Sequence, residues 1–208
     1  MRRASILAAS ATTLRTLAAI AAGAALWYAM RLCQGALRPV LGRVPEWAAL
    51  AANAGVEEAL RLGLALLIAR YVRRAGLEPG TVGLGVVAAC SLGALENASY
   101  LAAFPTLDAY WRLGYAVPIH AGAAALYAIG TGESKSPDGA SRPTSWPAGI
   151  AAAFTLAWAW HSGFNIVAAL FPFPALPIVG TVVNLIALSA LVVALAIRYG
   201  YWSVYAAR

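Results

Sequence analysis

The sequence predicts an all-α fold: a polytopic helical membrane bundle of about six transmembrane helices, both termini cytoplasmic. Of its 208 residues 62% are apolar and only 11% charged, with a mean hydropathy of +0.72. Soluble domains carry about 25% charge, so too little polar surface is present to coat a water-soluble body of this size. The apolar residues also gather into six windows of roughly 20, the length a helix needs to cross a bilayer. This composition excludes disordered, collagen-like, coiled-coil and disulfide-rich classes. Cys33 and Cys90 are too few for a disulfide framework and have no metal-ligand spacing.

The windows are set apart by Pro, Gly and charge. The first, 12–31, follows Arg2 and Arg3; because Arg15 interrupts it and the apolar run continues to Met30, it reads as an uncleaved span rather than a signal peptide. The second, 47–69, lies between Pro45 and Arg70, and the third, 81–104, between Gly80 and Pro105. The fourth is 114–130, the fifth 147–171 and the sixth 176–198. Between the fourth and fifth, Gly130–Ser145 is rich in turn formers and predicts a flexible loop. Residues 1–208 form a single domain with a functional core near 46–171 and no internal repeat.

Fifteen Lys and Arg against eight Asp and Glu give a net charge of +7. The basic residues flank the windows instead of forming a stripe, which excludes a nucleic-acid partner and leaves the lipid bilayer. Alternating the loops puts Arg2, Arg3, Arg15, Arg70, Arg73, Arg74, Lys135, Arg142, Arg198 and Arg208 on the side of the termini. Arg31, Arg38, Arg43 and Arg112 fall on the other side, so the termini face the cytoplasm. Trp27, Trp111, Trp146 and Trp202 fall near span ends, as an aromatic belt does.

Four charges break this pattern by lying deep inside spans: Glu57, Glu58 and Arg61 in the second and Glu96 in the third. The two histidines, His120 and His161, lie in the fourth and fifth. An ionisable group at mid-bilayer costs about 2.5–3.5 kcal/mol on insertion scales, so such groups face a bundle interior or a water-filled cavity. Arg61 is three residues from Glu58 and four from Glu57, so one carboxylate is expected to pair with it while the other points about 100° away and stays available for chemistry. Glu96 and Tyr100 share a face, with Asn97 beside Glu96, and so do His161 and Asn165. At about 1.5 Å per residue from the extracytoplasmic ends, Glu57 lies ~15 Å deep, Glu96 ~12 Å, His120 ~9 Å and His161 ~15 Å. Groups on four helices therefore share one layer. Asn184, alone in the sixth span, reads as a packing contact.

Glu57-Glu58-Ala-Leu-Arg61, Gly93-Ala-Leu-Glu96-Asn97-Ala-Ser-Tyr100, the lone His120 before a run of small residues, and His161-Ser-Gly-Phe-Asn165 resemble the PrsW-type intramembrane proteases. More distantly they resemble the CAAX prenyl endopeptidases and bacteriocin-processing enzymes, a superfamily of glutamate-dependent membrane proteases. The likeness covers the second to fifth spans. Arg61 stands where the PrsW pattern usually has Lys, and the CAAX pattern spaces its Arg one residue further on.

The resemblance implies a multi-pass peptidase of a prokaryotic cytoplasmic membrane, acting on a membrane-anchored protein or peptide. Glu57 or Glu58 would take a proton from water, with Glu57 matching the family's first glutamate. His161 and Asn165 would donate to the oxyanion. His120 would position the water or protonate the leaving amine, and Glu96 would orient a histidine. No cofactor is expected; a zinc held by Glu96, His120 and His161 is the alternative that these ligand types allow, without an HExxH pattern. Ser162 diverges from His161 by about 100°, which argues against a serine nucleophile, and Cys90 reads as packing. A proton- or ion-coupled transporter and a non-catalytic immunity or scaffold protein are the rival classes.

Overall fold

In a computed structural model the described residues are 2–74, 80–103, 116–131, 133–135, 141–143, 146–170 and 176–199. Six helices account for nearly all of them: α1 (Arg2–Leu41), α2 (Glu46–Arg74), α3 (Gly80–Ala103), α4 (Ala116–Thr131), α5 (Trp146–Leu170) and α6 (Leu176–Tyr199). Each of the six apolar windows is a helix.

The largest departure is α1, which runs past the expected end at Arg31 to Leu41. Hydropathy falls after Met30, but Leu, Gln, Ala and Arg remain strong helix formers, so the backbone has no reason to stop. Pro39 is accommodated in the last turn, and the Gly42 N–H closes onto the Arg38 carbonyl at 2.9 Å. The Pro45 carbonyl then accepts from Ala48 and Ala49 at 2.9 and 3.0 Å, starting α2 within four residues of the end of α1. A tight reversal follows, and α1 and α2 lie side by side.

The Gly130–Ser145 reading is corrected in one respect. Two short segments, β1 (Glu133–Lys135) and β2 (Ser141–Pro143), pair antiparallel with Glu133 opposite Pro143 and Lys135 opposite Ser141. A stretch rich in turn formers has closed into a ribbon, and Pro143, which lacks an N–H, sits at its end.

α4 is the central helix. It packs on α3, α5, α6 and α2, and most of its residues are buried. Its small side chains make this crowding feasible, and close approach is enforced at Gly93 of α3. A Cβ there would lie 2.8 Å from the Val117 Cα and 3.1 Å from His120 Cδ2. α1 meets α3 in the same way at Gly23, where a Cβ would lie 2.1 Å from the Ala88 carbonyl oxygen. Ala123, Tyr127, Ala153 and Ala157 form the buried apolar cluster between α4 and α5.

The outward faces are also apolar. Leu14, Leu17 and Leu32 on α1, Leu67 on α2, and Leu185, Leu188 and Val192 on α6 are each more than half exposed. Among the described residues one helix, Ala11–Leu41, is long and apolar enough to cross a membrane. Of the expected belt, Trp27 is half-buried beside Tyr28, their rings 4.9 Å apart. The side chains of Trp111, Trp146 and Trp202, and those of Arg2, Arg3, Arg73, Arg112, Lys135, Arg142, Arg198 and Arg208, lie outside the described residues.

Candidate active site

Arg61 sits on α2 between the directions of Glu57 and Glu58, and it bridges both. Nη2 donates to Glu57 Oε2 at 2.9 Å and Nη1 to Glu58 Oε1 at 2.6 Å. The expectation that a single carboxylate pairs with Arg61 is therefore corrected. A guanidinium is a planar fork with donors on two arms, so it spans carboxylates that diverge around the helix. All three side chains are buried.

Their surroundings differ. Glu58 is wholly buried toward α4 and α5, where the Tyr127 hydroxyl donates to Oε2 at 2.7 Å and His161 Nδ1 lies 2.9 Å from Oε1. A carboxylate can only accept, so Nδ1 carries the hydrogen and donates it. Arg61 Nη2 also lies 3.2 Å from Nδ1, but two donors cannot bond each other, and this contact is mere proximity: Nη2 donates to Glu57 Oε2 and Nδ1 to Glu58 Oε1. Glu58 thus fixes the imidazole tautomer and leaves Nε2 facing Glu57, 3.6 Å from Oε2.

Glu57 is held from α1 as well. Gln34 Nε2 donates to Oε1 at 2.6 Å. With Gln34 on one oxygen and Arg61 on the other, the carboxylate is oriented while each oxygen keeps a second lone pair for a further donor.

On α3 and α4 the close approach at Gly93 lets Glu96 Oε2 reach His120 Nε2, and the Tyr100 hydroxyl donates to Glu96 Oε1 at 3.3 Å. His120 is buried, and its Nδ1 has no partner among the described residues. The two imidazoles meet edge to face with centroids 5.9 Å apart.

These groups line one cavity of about 930 Å³. Its wall includes Glu57, Glu96, Asn97, Tyr100, His120, His161 and Asn165, together with Arg31, Gln34, Arg38 and Asn53. The lining comes from the C-terminal halves of α1, α3 and α5 and the N-terminal halves of α2 and α4. Successive helices therefore alternate in direction, and the layer inferred from depth is one place in space. Glu58 and Arg61 are not on the wall; they support it from the α4 side. Ser162 Oγ is buried without a hydrogen-bond partner among the described residues and makes no bond to His161.

Three contributors are not evident from the sequence reading: Gln34, Asn53 and Tyr127. Tyr127 follows His120 by two helical turns, and Asn53 precedes Glu57 by one, so same-face spacing is the signal that finds them. Gln34 lies beyond the expected end of the first span, but it falls on one stripe with Arg31 and Arg38.

Among the described residues no group of three or more His, Cys, Asp and Glu is disposed to hold a metal ion. No known protein family, curated protein or solved structure matches the chain.

Proposed function

We propose that the chain is a multi-pass membrane endopeptidase that hydrolyses a peptide bond of a membrane-anchored protein or peptide with a water activated by Glu57. One observation carries the reading: on the wall of a single cavity, Glu57 faces His161 Nε2 at 3.6 Å while the Glu96–His120 pair lines the same space. The likeness of the four motifs to PrsW-type proteases supports it. Residence in the membrane is supported by the six apolar helices and their apolar outward faces, which a water-soluble protein would cover.

In this mechanism Glu57 takes a proton from water as the oxygen adds to the scissile carbonyl carbon. The carbonyl π electrons move onto its oxygen, and the oxyanion is met by the Asn165 amide and by His161 Nε2 when that nitrogen is protonated. Removing one such donor typically costs about 10²–10³ in rate. Ionised Glu57 and Glu58 beside cationic Arg61 leave one surplus negative charge, so one further proton balances the group. Glu57 Oε2 and His161 Nε2 are the two places where it can rest. Collapse of the intermediate expels the amine, which takes its proton from Glu57 or from His120, oriented by Glu96. The choice of Glu57 over Glu58 follows from access: Glu57 lines the cavity, and every acceptor direction of Glu58 points into packed protein.

Orientation by the positive-inside rule puts the cavity in the extracytoplasmic half of the bilayer. Cleavage there suits release of an ectodomain from a membrane-anchored substrate. Full-length protein in sealed vesicles tests the reading: wild type should cleave a single-span substrate and Glu57→Gln should not. Cleavage by Glu57→Gln at the wild-type rate would end the assignment. Proton flux without proteolysis would establish the transporter class, and a cellular phenotype indifferent to Glu57→Gln the scaffold class.

A further inference from the structure

One face of α1 is unlike the rest of that helix. Arg31, Gln34, Gly35, Arg38 and Gly42 recur at the spacing of a single helical stripe and all line the cavity that holds Glu57. Gln34 is committed to Glu57. Arg31 and Arg38 are exposed and pair with no acidic residue among the described ones. The carboxylates of the wall are engaged by other groups, Glu57 by Arg61 and Gln34 and Glu96 by His120 and Tyr100. Across the cavity, Asn53 Oδ1 is buried with no hydrogen-bond partner among the described residues. Between them Gly35 borders open space: a Cβ there would meet nothing within 4 Å.

We infer that this wall is a substrate subsite selecting an extended peptide segment that carries an acidic side chain near the cleaved bond. The inference rests on the peptidase reading and names the class of its substrate. Two guanidinium groups that pair with no acidic side chain among the described residues suit a carboxylate, which they bind through paired N–H donors. A buried acceptor such as Asn53 Oδ1 carries a desolvation cost that an incoming backbone N–H removes. Gly35 leaves room for the strand itself. Gln34 marks the level of Glu57, and Arg38 stands one turn, about 6 Å, further toward the α1–α2 turn. An extended chain advances about 3.3 Å per residue, so the acidic side chain falls about two residues from the scissile bond.

The test uses full-length protein in phosphatidylcholine vesicles and single-span fluorescent peptides that differ only in Glu or Gln at the first, second or third residue on either side of the cleaved bond. Two readouts are taken: kcat/KM with wild type, and binding by anisotropy to Glu57→Gln. The Glu peptide with the charge at the second position toward the α1–α2 turn should be preferred about tenfold, as a charge-assisted pair gives. The preference should shrink in 1 M salt. Arg31→Gln with Arg38→Gln should bring the ratio near one, and Arg38→Glu should turn it toward a Lys peptide, which a misfolded variant would not do. Gly35→Phe should raise KM without moving the thermal midpoint. Equal handling of Glu and Gln peptides by wild type, or a preference that survives loss of both arginines, overturns the inference. So does a double variant that changes only retention of added anionic lipid, which would make the arginines headgroup contacts. Charge-selective binding without cleavage keeps the subsite and removes the peptidase reading; cleavage without charge selection does the reverse.

Discussion

Tyr127 donates its hydroxyl proton to Glu58 Oε2 at 2.7 Å, joining α4 to α2 across 69 residues of chain. The bond occupies the one Glu58 oxygen that Arg61 and His161 do not, so both Glu58 oxygens are held by the protein. Its role is to hold His161 by Nδ1 and so present Nε2 to Glu57.

Tyr127→Phe keeps the ring among Ala123, Ala153 and Ala157 but leaves a buried carboxylate oxygen without its donor. The expected loss is about 1–3 kcal/mol, the usual cost of an unsatisfied buried group. Unfolding in detergent should show a lowered midpoint, and kcat should fall while KM stays constant, because His161 loses alignment and the substrate wall does not change. An unchanged midpoint would show that the hydroxyl contributes nothing.

Arg61→Gln leaves Glu57 and Glu58 facing each other without a cation, and breaking a buried pair in this way costs about 3–5 kcal/mol. Folded yield should drop sharply. Arg61→Lys restores the charge, but an ammonium is a point donor that reaches one carboxylate at a time, so its midpoint should fall between the two. A Lys variant as stable as wild type would contradict the bridging geometry.

Gly93→Val tests the α3–α4 approach. Its Cβ would sit 2.8 Å from the Val117 Cα and 2.9 Å from the Val117 nitrogen, where backbone cannot yield as a side-chain tip can. Overpacking of this kind costs about 1–3 kcal/mol and should separate His120 from Glu96. Activity should fall further than with Gly63→Ala on α2, where a Cβ meets nothing. Equal activity of the two variants would mean that the Glu96–His120 contact does not depend on this crossing.

Exhaustive chelation should leave cleavage intact, because in this mechanism the attacking water gives its proton to Glu57 and no step draws on a metal ion. Activity lost on chelation and restored by stoichiometric zinc would reassign Glu96, His120 and His161 as ligands.

The parts of this site that show in the sequence do so because charge is scarce. Glu57, Glu58, Arg61 and Glu96 stand out in apolar windows, and one turn's spacing relates Glu96 to Tyr100 and Glu57 to Arg61. Convergence of four helices on one layer is likewise readable, since depth along a helix is only a count of residues. What the sequence hides is direction. Glu57 and Glu58 are equivalent by composition, and only packing of α2 against α4 and α5 turns Glu58 inward. Tyr127 reads as one more aromatic in an apolar run, and Gln34 sits where hydropathy has already ended the first span. The extension of α1 to Leu41 follows helix propensity rather than hydropathy, and it carries Gln34 to Glu57.

The most direct measurement compares single-turnover cleavage by Glu57→Gln and Glu58→Gln in vesicles, with thermal midpoints taken on the same preparations. The amide at 57 keeps the size of the side chain but cannot accept the proton from water, so cleavage should fall at least about 10²–10⁴-fold, the usual share of a general base, with the midpoint within a few degrees of wild type. The amide at 58 should lower the midpoint and, by loosening its hold on His161, slow cleavage less than the amide at 57 does. A Glu57→Gln protein that cleaves at the wild-type rate, with Glu58→Gln folded and inactive, would contradict the account.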